Sequence, residues 1–145
     1  MIKFATIGAG FAAKNDPTIT SQSAVANYTF LTHEGTTYLI MNIVNGDDSY
    51  VDDITFAAGE KLRGIDVKSI EGLKLVVDGK HITYASGKTI ADIDVDDVLT
   101  IGNDGKLAVA EAAPGSGVYF KVTKTGVKLT EAAIEVKVCV ADATE

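Results

Sequence analysis

The residues whose types and spacing invite chemistry are acidic: Asp92, Asp94, Asp96 and Asp97, preceded by the pairs Asp47-Asp48 and Asp52-Asp53. Hard cations such as Ca²⁺ take several carboxylate and carbonyl oxygens, and three alternating carboxylates would share one face of an extended chain. The pattern stops short of a calcium loop. A loop of the EF-hand kind needs glycine at its sixth position, where this chain has Asp97, and strand-like residues resume at Val98. These acids read instead as solvated side chains or turn caps. Nor does the sequence offer any means of choosing two of its many acids as a glycosidase-type pair.

Other motifs fail on context. Gly8-Ala9-Gly10-Phe11-Ala12-Ala13 has the spacing that opens a dinucleotide-binding turn, but Lys14-Asn15-Asp16-Pro17-Thr18 does not continue a helix. Gly87-Lys88-Thr89 has the ending of a phosphate loop, yet Ile82 stands where the first glycine belongs. His33 falls in a turn and His81 on the polar side of a strand, neither with a Ser, Cys or acid in catalytic order, so both read as surface residues. Cys139 alternates with valines and has only Lys137 as a nearby positive charge, which makes it a packing or edge residue. No catalytic, cofactor-binding or metal-ligating residue is assigned, and no cofactor is expected.

The elements that would position any site are hairpins. Residues 73–84, LKLVVDGKHITY, read as two strands around Asp78-Gly79, pairing Leu73 with Tyr84, Leu75 with Ile82 and Val77 with Lys80. One face is mostly apolar; the other carries Lys74, Val76, His81 and Thr83. Residues 27–44 form an earlier hairpin, for which a three-residue loop His33-Glu34-Gly35 gathers Tyr28, Phe30, Tyr38 and Ile40 on one side. Its second strand, apolar on both faces, is expected to be central. A third hairpin, 98–110, closes around Asn103-Asp104-Gly105 and pairs Ile101 with Leu107 and Leu99 with Val109. A fourth, 118–130, turns at Thr125-Gly126 with Val122 opposite Leu129. Ile134, Val136, Val138 and Val140 then alternate along a final strand. A short strand is expected at 54–56 and a short helical turn at 67–71, stopped by Gly72.

The fold class is therefore all-β: an antiparallel sandwich or small barrel built from successive hairpins, with at most short helical turns. Residues 1–26 read as an extended arm with a short strand expected at 2–7, and 27–145 as one β domain, divisible at 72/73. A net charge of −7, a single arginine and lysines scattered along the sequence argue against nucleic acid as a partner. No window approaches the roughly 18 apolar residues of a membrane span, and FATIGAGFAA after Lys3 is too short and Gly-broken for a signal peptide. One cysteine excludes an internal disulfide.

Residues 98–122, VLTIGNDGKLAVAEAAPGSGVYFKV, resemble the small β-barrel proteins that sit on or within tailed-bacteriophage heads as decoration or auxiliary capsid proteins. The likeness lies in a short acidic chain rich in Ala, Gly, Thr and Val, a hairpin around Asn-Asp-Gly-Lys, an Ala-Ala-Pro-Gly-Ser-Gly loop and a closing Val-rich strand. It spans roughly residues 70–140. It implies a non-enzymatic structural protein, made in the host cytoplasm and resident in the virion. Its implied partners are the major capsid protein and copies of itself, with the 1–26 arm as a docking segment. Two other classes are open: a carbohydrate-binding or adhesion module, for which Tyr50, Tyr84 and Tyr119 are the aromatics to follow, and an enzyme whose site is assembled from dispersed carboxylates.

Overall fold

A computed structural model describes residues 2–5, 15–41, 54–129 and 131–141. In chain order the strands are β1 Ile2–Phe4, β2 Asn15–Ile19, β3 Val25–Ala26, β4 Phe30–His33, β5 Thr36–Ile40, β6 Thr55–Phe56, β7 Leu62–Asp66, β8 Lys74–Asp78, β9 Val98–Ile101, β10 Leu107–Ala110, β11 Gly117–Lys128 and β12 Ala132–Ala141. Short 3-10 turns occupy Val67–Ile70, Gly79–His81 and Ile90–Asp92. No helix among the described residues is long and apolar enough to cross a membrane.

The fold is all-β, with every strand pairing antiparallel. One sheet has the order β1-β8-β12-β11-β9-β10, a second β2-β7-β5-β4, and β3 pairs with β6. The two larger sheets share a core in which Phe30, Leu39 and Ile65 of one meet Leu75, Phe120 and Val136 of the other. They do not close into a barrel. The far side of the four-stranded sheet carries its own cluster, where Leu31 and Tyr38 pack on Ile19, Ile40 and Leu62. That second cluster requires Gly64: a Cβ there would lie 2.3 Å from Cδ1 of Ile19 and 2.9 Å from Cβ of Tyr38.

Burial on both faces explains the register of the first hairpin. Phe30 pairs with Leu39 and Leu31 with Tyr38, around a two-residue turn whose Glu34 (φ 51°) and Gly35 (φ 81°) both have positive φ. The three-residue loop is thus corrected: aromatics gathered on one side would suit one buried face, but here Phe30 and Tyr38 serve opposite cores. β5 lies between β4 and β7, inside the sheet as expected; residues 42–44 fall outside the described set.

The hairpin expected at 73–84 does not form. Asp78 stays extended (φ −65°, ψ 148°), and Gly79 opens a 3-10 turn instead of reversing the chain. β8 finds its partners far away in sequence, with Val77 between Ile2 and Ile134 and Leu75 opposite Val136. The fourth hairpin is also corrected: β11 runs straight through Thr125-Gly126. Gly126 (φ 70°) absorbs an irregularity in the register with β12 instead of making a turn. The third hairpin has the expected register, the 67–71 turn is the 3-10 turn Val67–Ile70 before Gly72, and the last strand buries Ile134, Val136 and Val138. Of residues 1–26, three segments are strands, and the Ile2 side chain is fully buried in the shared core.

Candidate functional site

Among the described residues, the β10 end of the six-stranded sheet presents outward backbone groups beyond its last strand. β10 is the last strand, held on its inner side by β9. On its outer side, the Leu107 carbonyl accepts the Thr83 amide at 2.7 Å, and Ile82 bridges to Leu107 in parallel. Outward-facing backbone groups recur every second residue, so those of Val109 also point away from β9. There the covering segment has already turned away. What it leaves is a cleft of about 540 Å³ lined by Thr83, Tyr84, Lys88, Asp92, Ile93 and Val109, with Val109 about half exposed.

Most of the reactive groups of this cleft have structural partners. Thr89 and Asp92 form a reciprocal cap on the 3-10 turn Ile90–Asp92, with the Thr89 amide donating to Oδ2 of Asp92 at 2.8 Å. The Tyr84 hydroxyl donates to the Gly79 carbonyl at 2.8 Å, and burial, then the charge of Glu131, pushes that phenol above its ordinary pKa. Lys88 follows the turn at Gly87, its amide donating to the Ala85 carbonyl. Gly87-Lys88-Thr89 is therefore a polar turn. The arrangement suits binding along an open strand edge.

Below the cleft, the 102–106 turn is fastened from two directions. The Asp104 carboxylate accepts the Thr83 hydroxyl at 2.5 Å and the Lys106 amide at 3.0 Å. These bonds, the hydroxyl's first, hold the carboxyl below its usual range. The turn is also bound to the other sheet through the Gly105 carbonyl, which accepts the Phe30 amide at 2.9 Å.

The other sequence candidates among the described residues do not converge on a single site. Asp92 and Asp97 are caps, the latter accepting the Asp94 amide at 2.9 Å, while Asp96 pairs with Lys121 at 3.7 Å. Among the described residues, no three His, Cys, Asp or Glu side chains converge as a metal site would require. Asp47, Asp48, Asp52, Asp53, Tyr50 and the 8–13 glycine motif lie outside the described residues. His33 is half-buried on β4, 4.0 Å from Glu34. His81 corrects the surface expectation: it is buried in a 3-10 turn, its ring edge-on to Tyr28 with centroids 5.6 Å apart. Cys139 sits half-buried on an interior strand opposite Tyr119. Sequence reasoning misses the β10 edge, because its exposure depends on where residues 82–85 leave the sheet, which no local pattern in the sequence records. Comparison of the chain with protein-family models, curated proteins and solved structures gives no match.

Proposed function

We propose that this chain is a non-enzymatic structural protein of a tailed-phage particle, which binds the assembled head through the free edge of β10 and the adjoining loop 111–116. The observation that carries the reading is that the segment resembling head-decoration proteins, 98–122, includes this outermost strand and an exposed loop beside it. Residues 111–113, 115 and 116 are all exposed. A strand edge with outward backbone groups and an apolar side chain gives a partner both hydrogen bonds and a contact to bury.

The test is co-sedimentation of the chain with heads assembled from a tailed-phage major capsid protein, using wild type and Val109→Pro. The Val109 amide points outward, so proline there spares the ladder with β9 and removes the edge donor. Binding by wild type that the proline variant loses, with unchanged far-UV circular dichroism, is the expected result. Heads that never carry the wild-type chain would overturn the reading.

A further inference from the structure

Lysines that look scattered along the sequence converge in the fold. Cross-strand partners point to the same side of a sheet. Lys74 of β8 is in register with Lys137 of β12, which is in register with Lys121 of β11, so three lysines form one row across three neighbouring strands. In the adjacent row Lys3 is opposite Val76 and Val76 opposite Glu135. All four lysines are exposed, and they occupy the side of the six-stranded sheet that faces away from the core.

Such a row works against the fold, since like charges directly opposite each other repel. Compensation inside the chain is incomplete. Glu135 reaches Lys74 at 3.8 Å and Asp96 reaches Lys121 at 3.7 Å, while among the described residues Lys137, in the middle of the row, and Lys3 have no ion pair. On the same face the half-buried Val98 continues the row beyond Lys121, Val76 lies in the row beside it, and Tyr119 and Cys139 are paired in the row on its other side.

The complementary surface is on the same molecule. Asp92, Asp94 and Asp96 form an exposed acidic ridge, fastened to β11 where the Asp96 amide donates to the Val122 carbonyl and the Val122 amide to the Asp97 carbonyl. The Lys121–Asp96 pair marks where ridge and row adjoin. With the two side by side, a two-fold axis sets the row of each copy on the ridge of the other, and such a contact closes on itself. We infer that the lysine row Lys74-Lys137-Lys121 docks on the Asp92–Asp96 ridge of a second copy of this chain, forming a symmetric dimer. This deepens the assembly role proposed above and rests on it for its purpose only. The dimer is read without any head present, so it can fail while head binding stands, and the reverse.

The experiment is sedimentation velocity of the full chain against concentration, in low salt and in 0.5 M salt, with two charge-reversed variants. One is Lys74→Glu with Lys137→Glu; the other is Asp94→Lys with Asp96→Lys. Wild type should dimerise in low salt and weaken at least tenfold in high salt, where screening makes the attraction between exposed charges short-ranged. Each variant alone should be monomeric, and mixing the two should restore a dimer, because the reversed row then faces the reversed ridge while the native pair remains on the other side. Lys137→Gln guards against misfolding: it should raise the thermal midpoint, by relieving the row, and weaken dimerisation. Four outcomes would overturn the inference: a monomeric wild type, a dimer unmoved by salt, variants that dimerise alone, or mixtures that do not. A monomer that instead binds polyaspartate peptide would assign the row to a different acidic partner.

Discussion

The carbonyl of Gly105 accepts the amide of Phe30 at 2.9 Å, and this bond ties the turn at the end of one sheet to the edge strand of the other. Two features make the position intolerant of a side chain. Gly105 has φ +78°, and a Cβ there would lie 2.3 Å from Cγ2 of Thr29 and 2.9 Å from the Phe30 carbonyl oxygen. Gly105→Ala is expected to cost about 2–4 kcal/mol, the sum of left-handed strain and overpacking. Urea denaturation measures it. Thr29→Ala in the same chain removes the Cγ2 contact and should recover part of the loss, leaving the backbone share.

Phe30 also meets Phe120 across the shared core, with ring centroids 5.2 Å apart and planes tilted by 58°. Both side chains are buried, so Phe120→Ala or Phe30→Ala should each cost about 3–5 kcal/mol. A double-mutant cycle separates the pair term. If the rings couple the sheets, the double variant should lose less than the two single losses added together, by about 0.5–1.5 kcal/mol.

The pH dependence follows from Asp104. Its folded pKa lies below the ordinary carboxylate value because the ionised form accepts from Thr83 and Lys106. A depressed pKa contributes stability that is complete above the unfolded value of about 4 and is lost as pH falls through the folded one. Asp104→Asn should therefore lower stability at neutral pH and flatten the acid limb of the stability profile below about pH 4. Thr83→Val, which removes the larger cause, should shift the same limb in the same direction. The carboxylate is largely solvated, so both effects should be small and weaken with salt.

What could be read from the sequence followed the distance between partners. The β9–β10 register was legible because the turn and both strands lie within residues 98–110, so packing across one short loop decides it. The alternation of Ile134, Val136 and Val138 likewise announced a strand with one buried face. Alternation says which face is buried but not which strand lies beside it. Hence proximity in sequence assigns β8 to the nearest apolar run, although Leu75 and Val77 lie between β1 and β12. Asp78-Gly79 has the composition of a hairpin turn, but the Asp78 side chain is fully buried, accepting from the Glu131 amide at 3.5 Å, and Gly79 is needed because a Cβ would come within 2.9 Å of the Tyr84 hydroxyl. The candidate surfaces were less legible still. The lysine row exists only through the β8–β12–β11 register, so residues far apart in sequence look scattered until those strands are aligned.

Gly64 gives a prediction with an internal control. It is buried in β7, where a Cβ would meet Ile19 and Tyr38. Gly64→Ala should destabilise by about 1–3 kcal/mol through overpacking. Gly115, exposed in the 111–116 loop with nothing within 4 Å of where a Cβ would stand, should accept alanine with a change within about 0.5 kcal/mol. Parallel thermal melts of the two variants distinguish a packing cost from a general intolerance of glycine replacement.

The Glu34-Gly35 turn leaves room for improvement. A two-residue hairpin turn with both φ values positive favours Asn-Gly, and Glu34 at φ 51° bears conformational strain that asparagine tolerates better. Glu34→Asn gives up only a 4.0 Å contact with His33, between side chains 32% and 86% exposed, which contributes little in water. The variant should gain about 0.5–1 kcal/mol, raising the thermal midpoint by about 1–4 °C in a chain of this size. Gly35→Ala should move the other way by about 1 kcal/mol: an added Cβ would meet nothing within 4 Å, so the φ of +81° is the whole cost. Opposite shifts at adjacent residues are what this turn requires; a three-residue loop, with only Gly35 left-handed, would give the second shift without the first.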